Sequence, residues 1–138
     1  MENVDLNRLR INEAKYTQPA GRKDDSGKID MTLFDDMPRA LKAVAEVMQW
    51  AITKKEPKPY DRGSWLGVSA DRYRAAQQRH NQAQGEQASS PTQPPTHNAP
   101  RFQRDPETSP LHEAHKACSA LFALELILRE LEGSNVPE

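Results

Sequence analysis

The chain has 138 residues, which fits one domain; with 36% apolar residues, 6% aromatics and 11 prolines, not all of it can be packed core. A net charge of −1 gives no electrostatic footprint for nucleic acid or a membrane surface. The single cysteine, Cys118, excludes a disulfide within the chain and suits a reducing cytoplasm. No apolar run approaches membrane-spanning length, and the polar, mixed-charge start MENVDLNRLR does not read as a signal peptide.

Residues 1–20 carry a weak apolar pattern (Val4, Leu6, Leu9, Ile11) and then lose it. They read as an arm that orders only against a partner or the domain body. Residues 21–36 read as a polar loop turning at Gly27. Asp36 followed by Pro38 announces a helix by capping and first-turn chemistry. Over residues 39–54, Leu41, Val44, Val47, Met48, Ala51 and Ile52 fill one broad arc, while Arg39, Lys42, Glu46 and Gln49 fill the other. That is an amphipathic helix with a period of 3.6, ended by Pro57 and Pro59. A turn-rich loop through Tyr60, Gly63, Ser64, Trp65 and Gly67 follows.

A second helix is expected over 69–84, with a thin stripe of Tyr73, Ala76, His80 and Ala83 and a stop at Gly85. Residues 87–104 are Pro-, Ser-, Thr- and Gln-rich without periodicity and read as a disordered connection; His97 within it receives no role. A third helix is expected over 110–131, with Ser109 as N-cap and Pro110 at the first position. Ala114, Ala117, Cys118, Leu121, Phe122, Leu124, Leu128 and Leu131 form its wide apolar arc. Glu125 falls inside that arc and needs a basic partner or a subunit seam. Three helices with about 90 ordered residues make a marginal core. The expected fold is therefore an all-α, small helical bundle completed by oligomerisation, with the domain over 21–138.

Three histidines fall where they can converge: His80 on the second helix, and His112 and His115, three residues apart, at the start of the third. An i, i+3 pair of imidazoles at a helix start can hold a divalent metal or grip phosphate oxygens. Asp105 and Glu107 precede the third helix and Glu86 follows the second, so facing helix ends can supply carboxylates. Imidazole with carboxylate fits Mn²⁺, Zn²⁺, Ni²⁺ or Fe²⁺ more readily than Mg²⁺. The competing readings are a surface His112, a hydrogen-bonded core His115, and acids that merely complement a helix dipole.

In GRKDDSGK (residues 21–28), Lys28 can touch phosphate and Asp24 a metal, although the spacing is not that of a P-loop. The alternative is a solvated charged loop. Lys54 and Trp65 follow the first helix, and Trp65 can stack on a base or serve as core. Arg72 and Arg79, on one helical face, can meet phosphate or Glu125.

The series GRKDDSGK, AVAEVMQWAITKK, Ser64-Trp65, RYRAAQQRH and SPLHEAHKACSALFALEL resembles the phage-enriched dATP/dGTP diphosphohydrolase amino-terminal domain family, near the MazG-like all-α nucleotide pyrophosphatases. The resemblance covers about residues 21–132. It implies hydrolysis of a purine (deoxy)nucleoside triphosphate to monophosphate and pyrophosphate. It further implies a divalent cation, Mn²⁺ or Mg²⁺, and a homodimer or homotetramer in the cytoplasm, that of the host if phage-encoded. In phages that use 2-aminoadenine, such an enzyme supplies dGMP for the modified base and can drain dATP.

By the resemblance, Asp24 and Lys28 match the family's loop acid and lysine. Arg72, Tyr73, Arg79 and His80 match its second-helix block, and Asp105, Glu107, His112 and His115 its acid-then-HxxH block. The EExxE motif of MazG-like helices is absent; its nearest counterpart starts at Arg79-His80, and that of ExxD lies at His112 and His115. The family's short link between the second helix and the acid block is expanded by residues 87–104.

The catalytic expectation falls on His112 and His115. His80, Asp105, Glu107, His112 and His115 are the expected metal set, and Asp24, Lys28, Lys54, Trp65, Arg72 and Arg79 the expected substrate contacts. A competing class is a non-enzymatic helical module that binds a partner through its apolar arcs. An HD-type phosphohydrolase ranks last, because no His is followed by Asp.

Overall fold

The computed structural model describes residues 21–88 and 99–134. The expected arm at 1–20, and residues 89–98 of the expected connection, lie outside the described residues. Two compact units divide the chain, Met1–Leu33 and Phe34–Glu138. In the first, Gly27 takes φ 78°, the left-handed conformation that only glycine adopts without cost. The Lys28 amide closes this turn on the Asp25 carbonyl at 3.0 Å. Asp24 accepts the Ser26 amide at 2.9 Å, and Asp25 pairs with Lys23 and Lys28 at 3.9 and 3.8 Å. Those exposed pairs contribute roughly 0–1 kcal/mol each. Part of the expected loop is a 3₁₀ turn, Met31–Asp36, started by Asp30, whose carboxylate accepts the Thr32 amide at 3.0 Å.

The described residues hold three α-helices and no strand: α1 (Pro38–Thr53), α2 (Ala70–Ala88) and α3 (His112–Ser134). α1 begins with Pro38 in its first turn as the sequence suggests, but its N-cap is Met37 without a side-chain cap, not Asp36. At its far end the Tyr60 amide returns to the Ala51 carbonyl at 2.9 Å, folding the following loop back on the helix. Gly63, at φ 81°, then opens the 3₁₀ turn Ser64–Gly67 that carries Trp65.

α2 runs past Gly85 to Ala88. An interior glycine costs roughly 1 kcal/mol. Tertiary hydrogen bonds on either side offset it: Gln84 donates to Glu113 at 2.8 Å and to the Pro100 carbonyl at 3.1 Å, and Gln87 accepts from His112. Residues 99–104 hold the 3₁₀ turn Pro100–Phe102, buried Gln103 and an antiparallel bridge from Arg104 to Leu111.

α3 does not begin at Ser109-Pro110. Ser109 sits at φ 81°, and the chain between Arg104 and Leu111 is a closed loop. The Asp105 amide donates to the Pro110 carbonyl and the Ser109 amide to the Asp105 carbonyl, both at 2.9 Å. The His112 amide donates to the Gln103 carbonyl, so helical geometry starts at His112.

α2 and α3 pack antiparallel. Tyr73 meets Phe122 at one end, and Gln87 meets His112 at the other. α1 lies against α3 and closes a small core of Val47, Ala114 and Cys118, bordered by Ala43, Val44 and Phe122. Burial pushes the Cys118 thiol up to about 11, so it behaves as a small hydrophobe. Leu121, Leu124, Leu128 and Leu131 on α3 are exposed. Their 3-4-3 spacing is that of an apolar helix seam. Glu125, which flanks that seam, is exposed and has the basic partner it needs, Arg129 at 2.7 Å. Among the described residues no helix is long and apolar enough to cross a membrane.

Candidate metal centre

The polar end of the α2–α3 pair gathers three imidazoles and one carboxylate. His80 projects from the middle of α2 on the stripe that faces α3, where a hydrophobic residue would ordinarily sit. His112 and His115 come from the first turn of α3. His80 Nδ1 lies 2.8 Å from His112 Nδ1 and 3.9 Å from Asp105 Oδ2. His115 stacks on His80 with ring centroids 4.5 Å apart and an interplanar angle of 12°. One donor atom from each of His80, Asp105 and His112 lies within 4.8 Å of the other two, a spacing a divalent ion can bridge.

The loop before α3 fixes the carboxylate. Asp105 Oδ1 accepts the amides of Glu107 and Thr108 at 2.9 and 3.0 Å, which leaves Oδ2 for His80. Thr108 Oγ1 reaches His115 Nε2 at 2.5 Å. Every ring thus has a defined partner on a second element, and His112 is only 2% exposed.

Electrostatics favour metal-ready protonation states. Burial, followed by the neighbouring His115 and His112, lowers the His80 pKa to about 4. Burial also lowers the His112 and His115 pKa values. For Asp105, burial acts upward, but the Thr108 and Glu107 amides and the nearby His115 outweigh it and hold the carboxyl below its usual range. At neutral pH the cluster is three neutral imidazoles and one carboxylate, all holding lone pairs for a cation.

Two clefts flank the cluster. A mostly apolar one of about 800 Å³ runs between α1, the Trp65 turn and α3, lined by Trp50, Tyr60, Trp65, Tyr73, Phe122 and, at its polar edge, His115. Trp65 stacks flat on Phe122 at 4.0 Å, and its carbonyl accepts the Tyr73 hydroxyl at 3.3 Å. The other, of about 330 Å³, is polar and includes Lys54, Arg104, Glu46 and Thr108. The hydrogen bond between Thr108 and His115 joins the walls of the two clefts.

Of the residues singled out in the sequence, His80, Asp105, His112 and His115 meet here. Glu107 is exposed and pairs with Lys55 at 3.8 Å. Arg72 and Arg79 are exposed on α2, and Arg79 is the chain neighbour of His80. Trp65 and Lys54 lie one in each cleft. Asp24 and Lys28 belong to the first unit, in the turn at Gly27. Gln87, Thr108 and Arg104 went unmarked in the sequence. The only signal for Gln87 was its place seven residues after His80, on the same helix line.

The family model described as dATP/dGTP diphosphohydrolase, N-terminal, matches residues 18–135. No curated protein and no solved structure matches the chain. The matched span takes in the whole histidine cluster, both clefts and the Gly27 turn, and by that match the chain belongs to the dATP/dGTP diphosphohydrolase N-terminal domain family.

Proposed function

We propose that the protein is a divalent-metal-dependent hydrolase. In this reading it converts purine (deoxy)nucleoside triphosphates, dGTP or GTP and also dATP, to the monophosphate and pyrophosphate. The observation that carries this reading is the convergence of His80, Asp105 and His112 on one point, with His115 stacked beside them and opening on a cleft. The donor chemistry fits a cation: imidazole nitrogens that are neutral at pH 7 and a carboxylate that stays ionised. Mn²⁺ and Mg²⁺ are the ions the family resemblance implies, and the nitrogen-rich set favours Mn²⁺ of the two. When bound, such an ion polarises a phosphoryl oxygen and lowers the pKa of water.

The chain's own groups do the rest. His115 takes the proton of the water that attacks the α-phosphorus. The bond from that phosphorus to the α–β bridging oxygen breaks, and pyrophosphate departs towards the polar cleft, where Lys54 and Arg104 offset its charge. The purine lies in the apolar cleft against Trp65 and its aromatic neighbours. Arg72, Arg79, Asp24 and Lys28 remain proposed contacts to the triphosphate, and Glu107 a peripheral acid held by Lys55.

The exposed α3 seam and the small core favour a homodimer or homotetramer. In a phage-infected cell the product dGMP would feed 2-aminoadenine nucleotide synthesis in the host cytoplasm. A non-catalytic interaction module would use the same seam but gives no reason for the histidine cluster.

The test is product analysis with each dNTP in the presence of Mn²⁺, for the wild type and for His112→Ala and His115→Ala. The proposal expects dGMP or dAMP with stoichiometric pyrophosphate from the wild type. Loss of turnover in both variants, with helicity retained, completes the expected pattern. Near-normal turnover in either variant would show that the pair is structural.

A further inference from the structure

His112 is held at both ring nitrogens by the same helix. Its Nδ1 meets His80 Nδ1 at 2.8 Å, and its Nε2 meets Gln87 Oε1 at 2.9 Å. His80 and Gln87 are seven residues apart, so they stand on one line of α2 about two turns from each other. One imidazole from α3 bridges that interval. Gln84, on the same face, ties α2 to Glu113 and to the Pro100 carbonyl, and so fixes the register in which the bridging occurs.

We infer that Gln87 is a positioning residue for the metal centre. By accepting a hydrogen bond at His112 Nε2, it keeps the ring proton there and reserves Nδ1 as the lone pair that faces His80 and Asp105. This role rests on the metal reading of the preceding subsection.

A neutral imidazole carries one ring proton. Gln87 Oε1 is a carbonyl oxygen and only accepts, so His112 Nε2 is the donor, and its Nδ1 is an acceptor. The 2.8 Å contact is then completed by a proton on His80 Nδ1. For a cation to be held by both rings, His112 needs no change of tautomer. His80 must move one proton from Nδ1 to Nε2, which leaves its net charge unchanged. With the opposite tautomer of His112, its Nδ1 would present a hydrogen to the site and repel a cation.

Outer partners of ligating histidines set tautomer and ring orientation in this way, and their loss typically lowers metal affinity 10–100-fold. A glutamine does so without adding a charge. Neither helix periodicity nor fold requires a glutamine at this position. Ala88 follows it as the last residue of α2, so the helix is held at its end through this contact.

The experiment uses the full chain with ¹⁵N-labelled histidine. Two-bond nitrogen–proton correlation spectra of the metal-free protein at pH 7.5 read the tautomer of His112 directly. Calorimetric titration with Mn²⁺, and with Co²⁺ as an absorption probe, reads the affinity. The wild type is expected to carry its His112 proton on Nε2. Gln87→Leu should populate the Nδ1–H form and lower Mn²⁺ affinity 10–100-fold. Gln87→Glu, which keeps an acceptor oxygen, should retain both the tautomer and the affinity.

A wild type with the proton on Nδ1 of His112 overturns the inference, and this arm decides alone should Gln87→Leu not fold. A wild type that binds Mn²⁺ with an affinity unmoved by Gln87→Leu overturns the role of Gln87 and leaves the metal centre standing. A wild type with the Nε2–H form that binds neither ion overturns the metal reading itself, and the role of Gln87 with it.

Discussion

Acidification should destabilise this protein through its histidine cluster. An unfolded histidine titrates near 6.5, whereas burial and the neighbouring rings lower the His80 pKa to about 4. Between those two values the unfolded chain binds a proton that the folded chain refuses. Stability is therefore fully present above pH 6.5, falls as pH drops through the window from 6.5 to 4, and levels off below it. Linkage for this one ring gives a loss of about 2 kcal/mol between pH 7.5 and pH 5. The ring is 20% exposed, and screening reduces the figure to about 1.5 kcal/mol.

The lowered pKa values of His112 and His115 add in the same sense. Asp105, held below its usual range, stays ionised across this window and contributes its own loss only at lower pH. The assay is equilibrium unfolding in urea at pH 7.5, 6.5, 5.5 and 5.0, without divalent ions. An ion that binds the cluster should raise the midpoint at pH 7.5 and lose that effect at pH 5. A stability that is flat or rising from pH 7.5 to 5 would refute the reasoning, because it would mean that the rings are solvated or already charged in the folded state.

Asp105→Asn should retain the loop, since an amide oxygen can still accept from Glu107 and Thr108. It should nonetheless lower Mn²⁺ affinity by at least about 100-fold in calorimetry, the upper end of the range seen for outer-shell losses. Ser109→Gly should leave stability equal or raise it by up to about 1 kcal/mol, whereas Ser109→Val should cost about 1–3 kcal/mol in urea unfolding, because a β-branched residue resists positive φ. Cys118 should resist a thiol reagent at pH 8 until the protein is unfolded, given its burial and raised pKa. Leu124→Glu with Leu128→Glu should convert an oligomer to a monomer in light scattering without loss of helicity; a wild type already monomeric at micromolar concentration would count against the seam as an interface.

The all-α architecture was legible because α1 and α3 repeat their apolar residues with the helix period. Val47, Ala114 and Cys118 fall on the arcs the sequence shows and form the buried core. The helix ends were less legible, because tertiary contacts override local signals there. Gly85 reads as a stop, yet Gln84 and Gln87 carry α2 through it by hydrogen bonds to elements remote in sequence. Ser109-Pro110 reads as a helix start, yet the Asp105 side chain closes a loop that pushes the start to His112.

The same split applies to the cluster. His80 could be placed inward because it occupies a stripe position on α2. Asp105 and Glu107 look equivalent before the helix, and only the loop closure separates them: one turns to His80, the other to Lys55. Thr108 gives no signal in composition or periodicity, and Gln87 only its spacing of seven from His80, beyond the stop that Gly85 suggests. Their partners, His115 and His112, come from another part of the fold.

The most direct test of the metal-dependent reading is crystallographic: the protein with Mn²⁺ and a dGTP analogue that cannot be cleaved between the α- and β-phosphates, with anomalous data collected for manganese. The account predicts an anomalous peak bonded to His80 Nδ1, His112 Nδ1 and Asp105 Oδ2, at distances of about 2.0–2.3 Å, with the α-phosphate beside it and the purine against Trp65. A manganese peak elsewhere, with His80 and His112 still hydrogen-bonded to each other, would contradict it.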